Sequence, residues 1–316
     1  MDRSWNAMRS LGVALSAAVV LACAAAPAQA QRPTASFEWQ KHEAGVTYGV
    51  PRVGKHTLDE LKVGDSWRMG AFNASNLVTT APLIVGDSVV APGAFRVQVA
   101  RTGAEKFELL IEGAGTAVEA GGDDVHAPAT MTQAKTPNEK LEISLAPVKE
   151  QADPELRALA LLIQYGAPQL TVPMTIVGTQ PMKVKGFAAL DVFKLPEPWL
   201  FKRLDLKKHT PVATLVRSGK VGNGESDRLN LMLGEDDVVL IPAMLAPTEN
   251  NGFGAIPKPD GLWTFQGKVI WSASKKPSPL FHVESAEVEK DGTLHVVASL
   301  GERSADIRVA SAPVKK

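Results

Sequence analysis

Alternation of apolar and polar residues with period two runs through much of the chain. Residues 95–101 (FRVQVAR) and 106–113 (KFELLIEG) alternate on either side of a Thr-Gly turn and predict a hairpin. Residues 140–148 (KLEISLAPV) alternate again. Residues 158–166 (ALALLIQYG) and 169–178 (QLTVPMTIVG) read as two further strands separated by Ala-Pro. A short helical turn at DPELRALA, capped by Asp153, is the alternative for the first of these, and the strand is preferred. Around residues 179–186 (TQPMKVKG) the chain changes character, and a domain boundary is expected there. Beyond it, residues 210–219, 227–234, 237–245, 262–273 and 281–300 carry strand patterns, and residues 305–311 close the set. Lys290-Asp291-Gly292 gives the strongest hairpin signal in the chain. Residues 222–227 and 247–261 read as loops, and no internal repeat is evident. Short strands at regular spacing predict an all-β protein, an N-terminal antiparallel β-sandwich followed by a second, smaller β-rich domain.

The N-terminus departs from this pattern. Asp2, Arg3 and Arg9 precede an apolar run at residues 11–26, which is short for a membrane span of about 20 residues. Ala28-Gln29-Ala30 then satisfies the small-x-small rule, so residues 1–30 read as a signal peptide cleaved after Ala30, with a periplasmic or extracellular product. Cys23 is the only cysteine, and lipid attachment there is the alternative reading of the same segment. Cleavage after Ala30 leaves a chain without disulfides, cysteine-ligated zinc or a cysteine nucleophile. It also removes Arg3, Arg9 and Asp2, so the 34 basic and 34 acidic residues become 32 and 33. A near-neutral chain with no basic stripe does not fit nucleic-acid binding. No later run is long and apolar enough to span a bilayer, and the oligomeric state is not legible.

One stretch concentrates chemistry. Residues 63–76 (VGDSWRMGAFNASN) place Trp67, Arg68, Phe72 and two asparagines among turn residues. On a structural reading, Trp67 packs, Arg68 stacks on it or pairs with Asp59, Glu60 or Asp65, Gly70 lets the backbone turn, and Asn73 and Asn76 cap turns. On a functional reading, Trp67 is a stacking platform, Arg52 and Arg68 clamp an anionic or polar ligand, and Asn73 adds amide hydrogen bonds.

The order of motifs around this stretch resembles the bacterial family called domain of unknown function 2911. Residues 46–55 (VTYGVPRVGK) resemble its Tyr-x-x-Pro-x-x-Gly-Arg opening, and residues 66–75 (SWRMGAFNAS) its Trp-Arg-x-Gly-Ala-Asn-x-Ala-Thr signature. Residues 90–99 (VAPGAFRVQV) resemble its Pro-Ala-Gly-Thr-Tyr strand entry, and residues 170–176 (LTVPMTI) its last strand. Lys55, Phe72 and Phe95 depart from that pattern. The resemblance covers residues 44–177 and implies an antiparallel β-sandwich and an exported location, but no activity. Together with the signal-like N-terminus and the boundary near residues 179–186, it suggests an organisation of signal peptide 1–30, lead-in 31–43, sandwich 44–178 and β-rich C-terminal domain 183–316; the C-terminal part resembles no family. Tyr48, Arg52, Trp67, Arg68 and Asn73 are the candidate ligand-binding residues.

Other candidates are weaker. Residues 121–128 (GGDDVHAP) put Asp123, Asp124 and His126 together, but without the further ligands that calcium or zinc needs, so a solvated turn is expected. His42, His56, His209, His282 and His295 are scattered, with the last two expected near each other across a hairpin. Trp199, Trp263 and Trp271 fit core packing better than a sugar platform. No nucleophile elbow, zinc-protease, phosphate-loop or dinucleotide motif is present, and a triad from Ser304, Asp306 and a histidine has no support in spacing. No catalytic residue, metal or cofactor is assigned. The expected function is a non-catalytic exported binding module for a polar ligand, whether a glycan, an anionic small molecule or an envelope protein. The alternatives are a hydrolase of envelope or extracellular polymers using Arg52, Arg68, Asn73 and His56, and a purely structural envelope protein.

Overall fold

The alternating runs become strands of two antiparallel sheets. The computed structural model describes residues 32–53, 57–70, 74–112, 124–148, 153–205, 209–218, 228–242 and 265–310. The first sheet contains β1 (Thr34–Trp39), β2 (His42–Thr47), β3 (Ser66–Trp67), β4 (Ser75–Thr79) and β5 (Leu83–Val85). It continues with β6 (Ser88–Val90), β7 (Gly93–Arg101), β8 (Phe107–Ile111), β9 (Val125–Pro147) and β10 (Leu156–Val177). The second contains β11 (Thr179–Met182), β12 (Phe187–Phe193), β13 (Thr210–Arg217), β14 (Arg228–Leu233), β15 (Asp237–Pro242), β16 (Phe265–Val288) and β17 (Thr293–Ala310). Only Gly178 separates the last strand of one sheet from the first of the other. A single α-helix, α1 (Glu197–Asp205), lies between β12 and β13 among the described residues. The all-β, two-part architecture is as expected, and residues 32–316 form one compact unit holding both sheets.

Each sheet curls over its own core by bending its longest hairpin. Residues 158–166 and 169–178 are not two strands: β10 runs on through Ala167-Pro168. It bends instead at Gly166, whose φ of 78° is open to glycine at little cost. Pro137 and Pro168 sit at the register irregularity on either strand, where a missing N–H costs least. Leu159, Leu161 and Ile163 before the bend and Leu170, Val172 and Met174 after it are buried in the same cluster, with Val46, Leu77 and Val97. The β16–β17 hairpin bends the same way at Gly301, φ 54°. It carries Phe281, Val296 and Ala298 on one side of the second core and Ala305, Ile307 and Val309 on the other.

The two sheets repeat one plan, which the sequence does not reveal. Without β3 and the β5–β6 hairpin, the first sheet is the meander β1-β2-β4-β7-β8-β9-β10, and the second is the meander β11 to β17. Their registers agree. Val46, Leu77 and Phe95 form one row across β2, β4 and β7, and Leu190, Leu215 and Leu229 form the same row across β12, β13 and β14. Val97, Ile111 and Val125 correspond to Leu231, Leu240 and Phe265. At the bends Asn138 faces Gly166, and Ser278 faces Gly301. Arg52 bridges to Lys140 as Pro196 does to Leu280. Leu141 N–H then donates to the Pro51 carbonyl at 3.0 Å, and Phe281 N–H to that of Leu195 at 2.9 Å. The chain is a tandem pair of seven-strand meanders.

Other expectations need correction. Residues 34–43, expected as a lead-in, form β1 and the start of β2. The helix α1 was not expected; Leu200 and Leu204, one turn apart, bury it against the second core, and Pro198 is tolerated in its first turn. His282 and His295 are not cross-strand neighbours, because His295 pairs with Glu287 and His282 with Ser299.

Candidate functional site

The site builds up from the bend of the first meander. Trp67 pairs through β3 with Val99 of β7, which fixes its backbone. Its half-buried ring packs on the first core and stacks on Tyr165, with centroids 5.0 Å apart and planes 27° from parallel. Tyr165, next to the bend, donates its hydroxyl to the Arg52 carbonyl at 2.8 Å. The flanking backbone is fixed as well, since Val53 N–H donates to the Glu139 carbonyl at 2.8 Å. Two candidates separated by the whole loop, Arg52 and Trp67, are thus joined by one tyrosine that the sequence did not single out.

The structure separates the remaining candidates. Tyr48 is a core residue, its hydroxyl directed at the Ile143 carbonyl 3.5 Å away, and it has little surface for a ligand. The guanidinium groups of Arg52 and Arg68 are exposed and have no side-chain partner among the described residues. Arg68 does not pair with Asp59, Glu60 or Asp65, because Arg101 takes the role of tying down that segment. Arg101 Nη1 donates to the carbonyls of Asp59 and Leu61, each at 2.7 Å, while the Asp59 carboxylate accepts the Thr57 hydroxyl. The left-handed residue of the turn is Met69, φ 49°, whose carbonyl accepts the Ser75 hydroxyl, and Ser75 N–H donates to the Arg68 carbonyl at 3.2 Å. Asn76 lies within β4, paired with Thr47 and Arg96, and caps no turn. Arg32, also unforeseen, donates to the Ala74 carbonyl at 2.7 Å, and partial burial lowers its pKa from the usual value. Asn73, His56, Lys55 and Phe72 lie outside the described residues, as do Asp123, Trp263, Cys23 and both expected loops.

Because the exposed Arg68 side chain has no hydrogen bond or ion pair among the described residues, Arg68→Ala is expected to change stability by less than about 0.5 kcal/mol. Urea unfolding of the wild type and the variant checks this.

The second meander shows which of these groups the scaffold itself requires. At the positions of Arg52 and Tyr165 it carries Pro196 and Leu300, and it builds the same bend. Val53, beside the bend glycine of the first meander, corresponds to Glu197, whose carboxylate lies against Gly301. The aromatic pair and its arginines therefore belong to the first meander alone.

Three histidines lie beside acids rather than converging. His126 Nδ1 lies 2.9 Å from Glu108 Oε2 on the neighbouring strand, and His209 Nε2 3.0 Å from Asp237 Oδ1. His295 Nε2 is 3.1 Å from Asp306 Oδ1, and its Nδ1 is 3.6 Å from Glu289 Oε1. Arg308 spans Glu289 and Asp306 at 2.8 and 3.3 Å. Ser304 donates to the Ala298 carbonyl, not to the imidazole, so this is an ion-pair network without a nucleophile. Among the described residues no group of three or more His, Cys, Asp or Glu is placed to hold a metal ion. Trp199 and Trp271 pack against the second core. Among the described residues no helix is long and apolar enough to cross a membrane. No family model, no curated protein and no solved structure matches the chain.

Proposed function

We propose that the chain is an exported, non-catalytic binding module whose first meander holds an anionic polar ligand, such as an acidic glycan, between Arg52 and Arg68 beside Trp67. One observation carries this. Two exposed arginines without side-chain partners among the described residues flank an aromatic stack, at a bend that the sister meander builds with Pro196 and Leu300. Exposed guanidinium forks suit carboxylate or phosphate oxygens, and the apolar face of a sugar packs on an aromatic ring face, one of which Tyr165 takes on Trp67. The signal-like residues 1–30 and the family resemblance support export in the same reading.

A thermal-shift screen of residues 31–316 against glycans, organic anions and divalent metals tests it. A ligand at a hundred times its Kd stabilises by about 2.7 kcal/mol. In a chain of this size that is roughly 5 °C. The expected result is a shift with acidic glycans or organic anions that is lost in Arg52→Ala and Arg68→Ala. Turnover of an ester or glycoside panel, lost in the same variants, would replace the binding module by the hydrolase. N-terminal analysis of the exported protein should give Gln31, and a lipid-modified Cys23 would make it a tethered form.

A further inference from the structure

The seam between the meanders has an apolar part and a polar part. Val89 of β6 and Val177 of β10 are buried among the side chains of the second core, and Asn230 Nδ2 donates to the Pro92 carbonyl at 3.4 Å. Apart from these contacts, the start of β2 meets the start of β11. His42 is only 6% exposed there, and its Nε2 lies 2.9 Å from Thr179 Oγ1. The Thr80 backbone, whose N–H donates to the Glu43 carbonyl at 2.9 Å, also acts on the ring and favours its charged form. With its hydrogen on Nδ1, the tautomer that the Thr80 backbone favours, the neutral ring accepts the Thr179 hydroxyl proton at Nε2. Alongside, Lys41 Nζ lies 3.4 Å from Asp191 Oδ1 of β12.

We propose that His42 is an acid-sensitive latch between the two meanders: the neutral imidazole closes the β2–β11 seam, and protonation opens it. An added proton turns Nε2 into a donor, so the Thr179 hydroxyl must reverse. It also places a positive charge in a ring almost excluded from water. Burial is the largest influence on the ring and Lys41 the next, both disfavouring the charge; Asp191 and the Thr80 backbone favour it, and Arg228 of β14 opposes it. The net direction is a His42 pKa below the ordinary 6.5. Opening the seam hydrates the ring and restores the ordinary value, so the open form binds the proton more readily. The latch is therefore at full strength above that ordinary value. It weakens as pH falls below it and levels off below the lowered value of the closed form.

The proposal is independent of any ligand at the first meander, and amide hydrogen exchange on the whole chain tests it. With labelling times corrected for intrinsic rates, residues 179–182 are expected to open several-fold more at pH 5.5 than at pH 7.5, the direction that the lowered His42 pKa dictates. Strand β8 serves as the unaffected reference. His42→Gln keeps a donor and an acceptor but does not titrate, and should open equally at both pH values. Lys41→Met, at an exposed position, removes an opposing cation and should narrow the pH difference. Protection of residues 179–182 that is independent of pH in the wild type would overturn the latch. So would a pH difference that survives unchanged in both variants.

Discussion

Gly267→Ala is expected to lower stability by about 3 kcal/mol, and the reverse change at the corresponding position, Ala127→Gly, by only about 1 kcal/mol. The two residues occupy the same place in the two meanders, two residues along β9 and β16 from the row of Val125 and Phe265. Ala127 is fully buried, and its methyl group is accommodated. At Gly267 an added Cβ would press into the Arg308 carbonyl oxygen of β17 and would lie 2.7 Å from Val309 Cβ and 2.8 Å from Val238 Cγ1. Backbone on one side and β-branched side chains on both leave no flexible group to yield, so the strands themselves must part. In a chain of this size the loss lowers Tm by roughly 6 °C. Calorimetry of the two variants checks it. Equal, small losses would show that the second meander relaxes around β17 and that its tighter packing there is not a constraint.

Where strand patterns met turn chemistry, the fold was legible. Residues 95–113 and the Asp291-Gly292 turn satisfy both, and both are hairpins, with Gly292 at φ 88°. The continuity of β10 was hidden because Ala167-Pro168 looks like a break, while the bend is carried by Gly166 one residue earlier. The first strand was overlooked although residues 34–39 (TASFEW) alternate, because it is short and lies at a sheet edge, where its apolar face of Ala35, Phe37 and Trp39 is merely half-buried. The duplication was hidden for a related reason. Register is specified by which positions are buried, not by which apolar residue fills them. Around the bends only Lys135 and Lys275, Pro137 and Pro277, and Gly166 and Gly301 remain identical, although exposure alternates in step along residues 131–139 and 271–279. The candidate site was legible in its parts but not in its assembly. Trp67, Arg52 and Arg68 could be singled out as residue types, whereas their link is a hydrogen bond between residues 113 positions apart. The choice of Arg101 over Arg68 to hold residues 59–61 is a matter of reach across β7, which spacing does not encode.

Trp67→Ala is expected to cost about 3 kcal/mol, far more than Arg68→Ala beside it. Part of the loss is apolar area taken from the edge of the first core. A further ~1 kcal/mol is the stacked contact with Tyr165. Tyr165→Leu installs the residue that the second meander carries at this position, and removes both the stack and the hydroxyl bond to the Arg52 carbonyl. If the stack is what couples the two rings, the double variant Trp67→Ala/Tyr165→Leu should fall short of the sum of the single losses by about 1 kcal/mol. Denaturant unfolding of the four proteins measures that difference. Ligand binding is then read at a temperature where all four remain folded. A stability loss below about 0.5 kcal/mol in Trp67→Ala, together with lost binding, would make the indole a ligand platform that contributes little to the fold. A full loss with the expected coupling makes Trp67 the support on which Arg52 and Arg68 are held outward, and confines recognition to the two guanidinium groups.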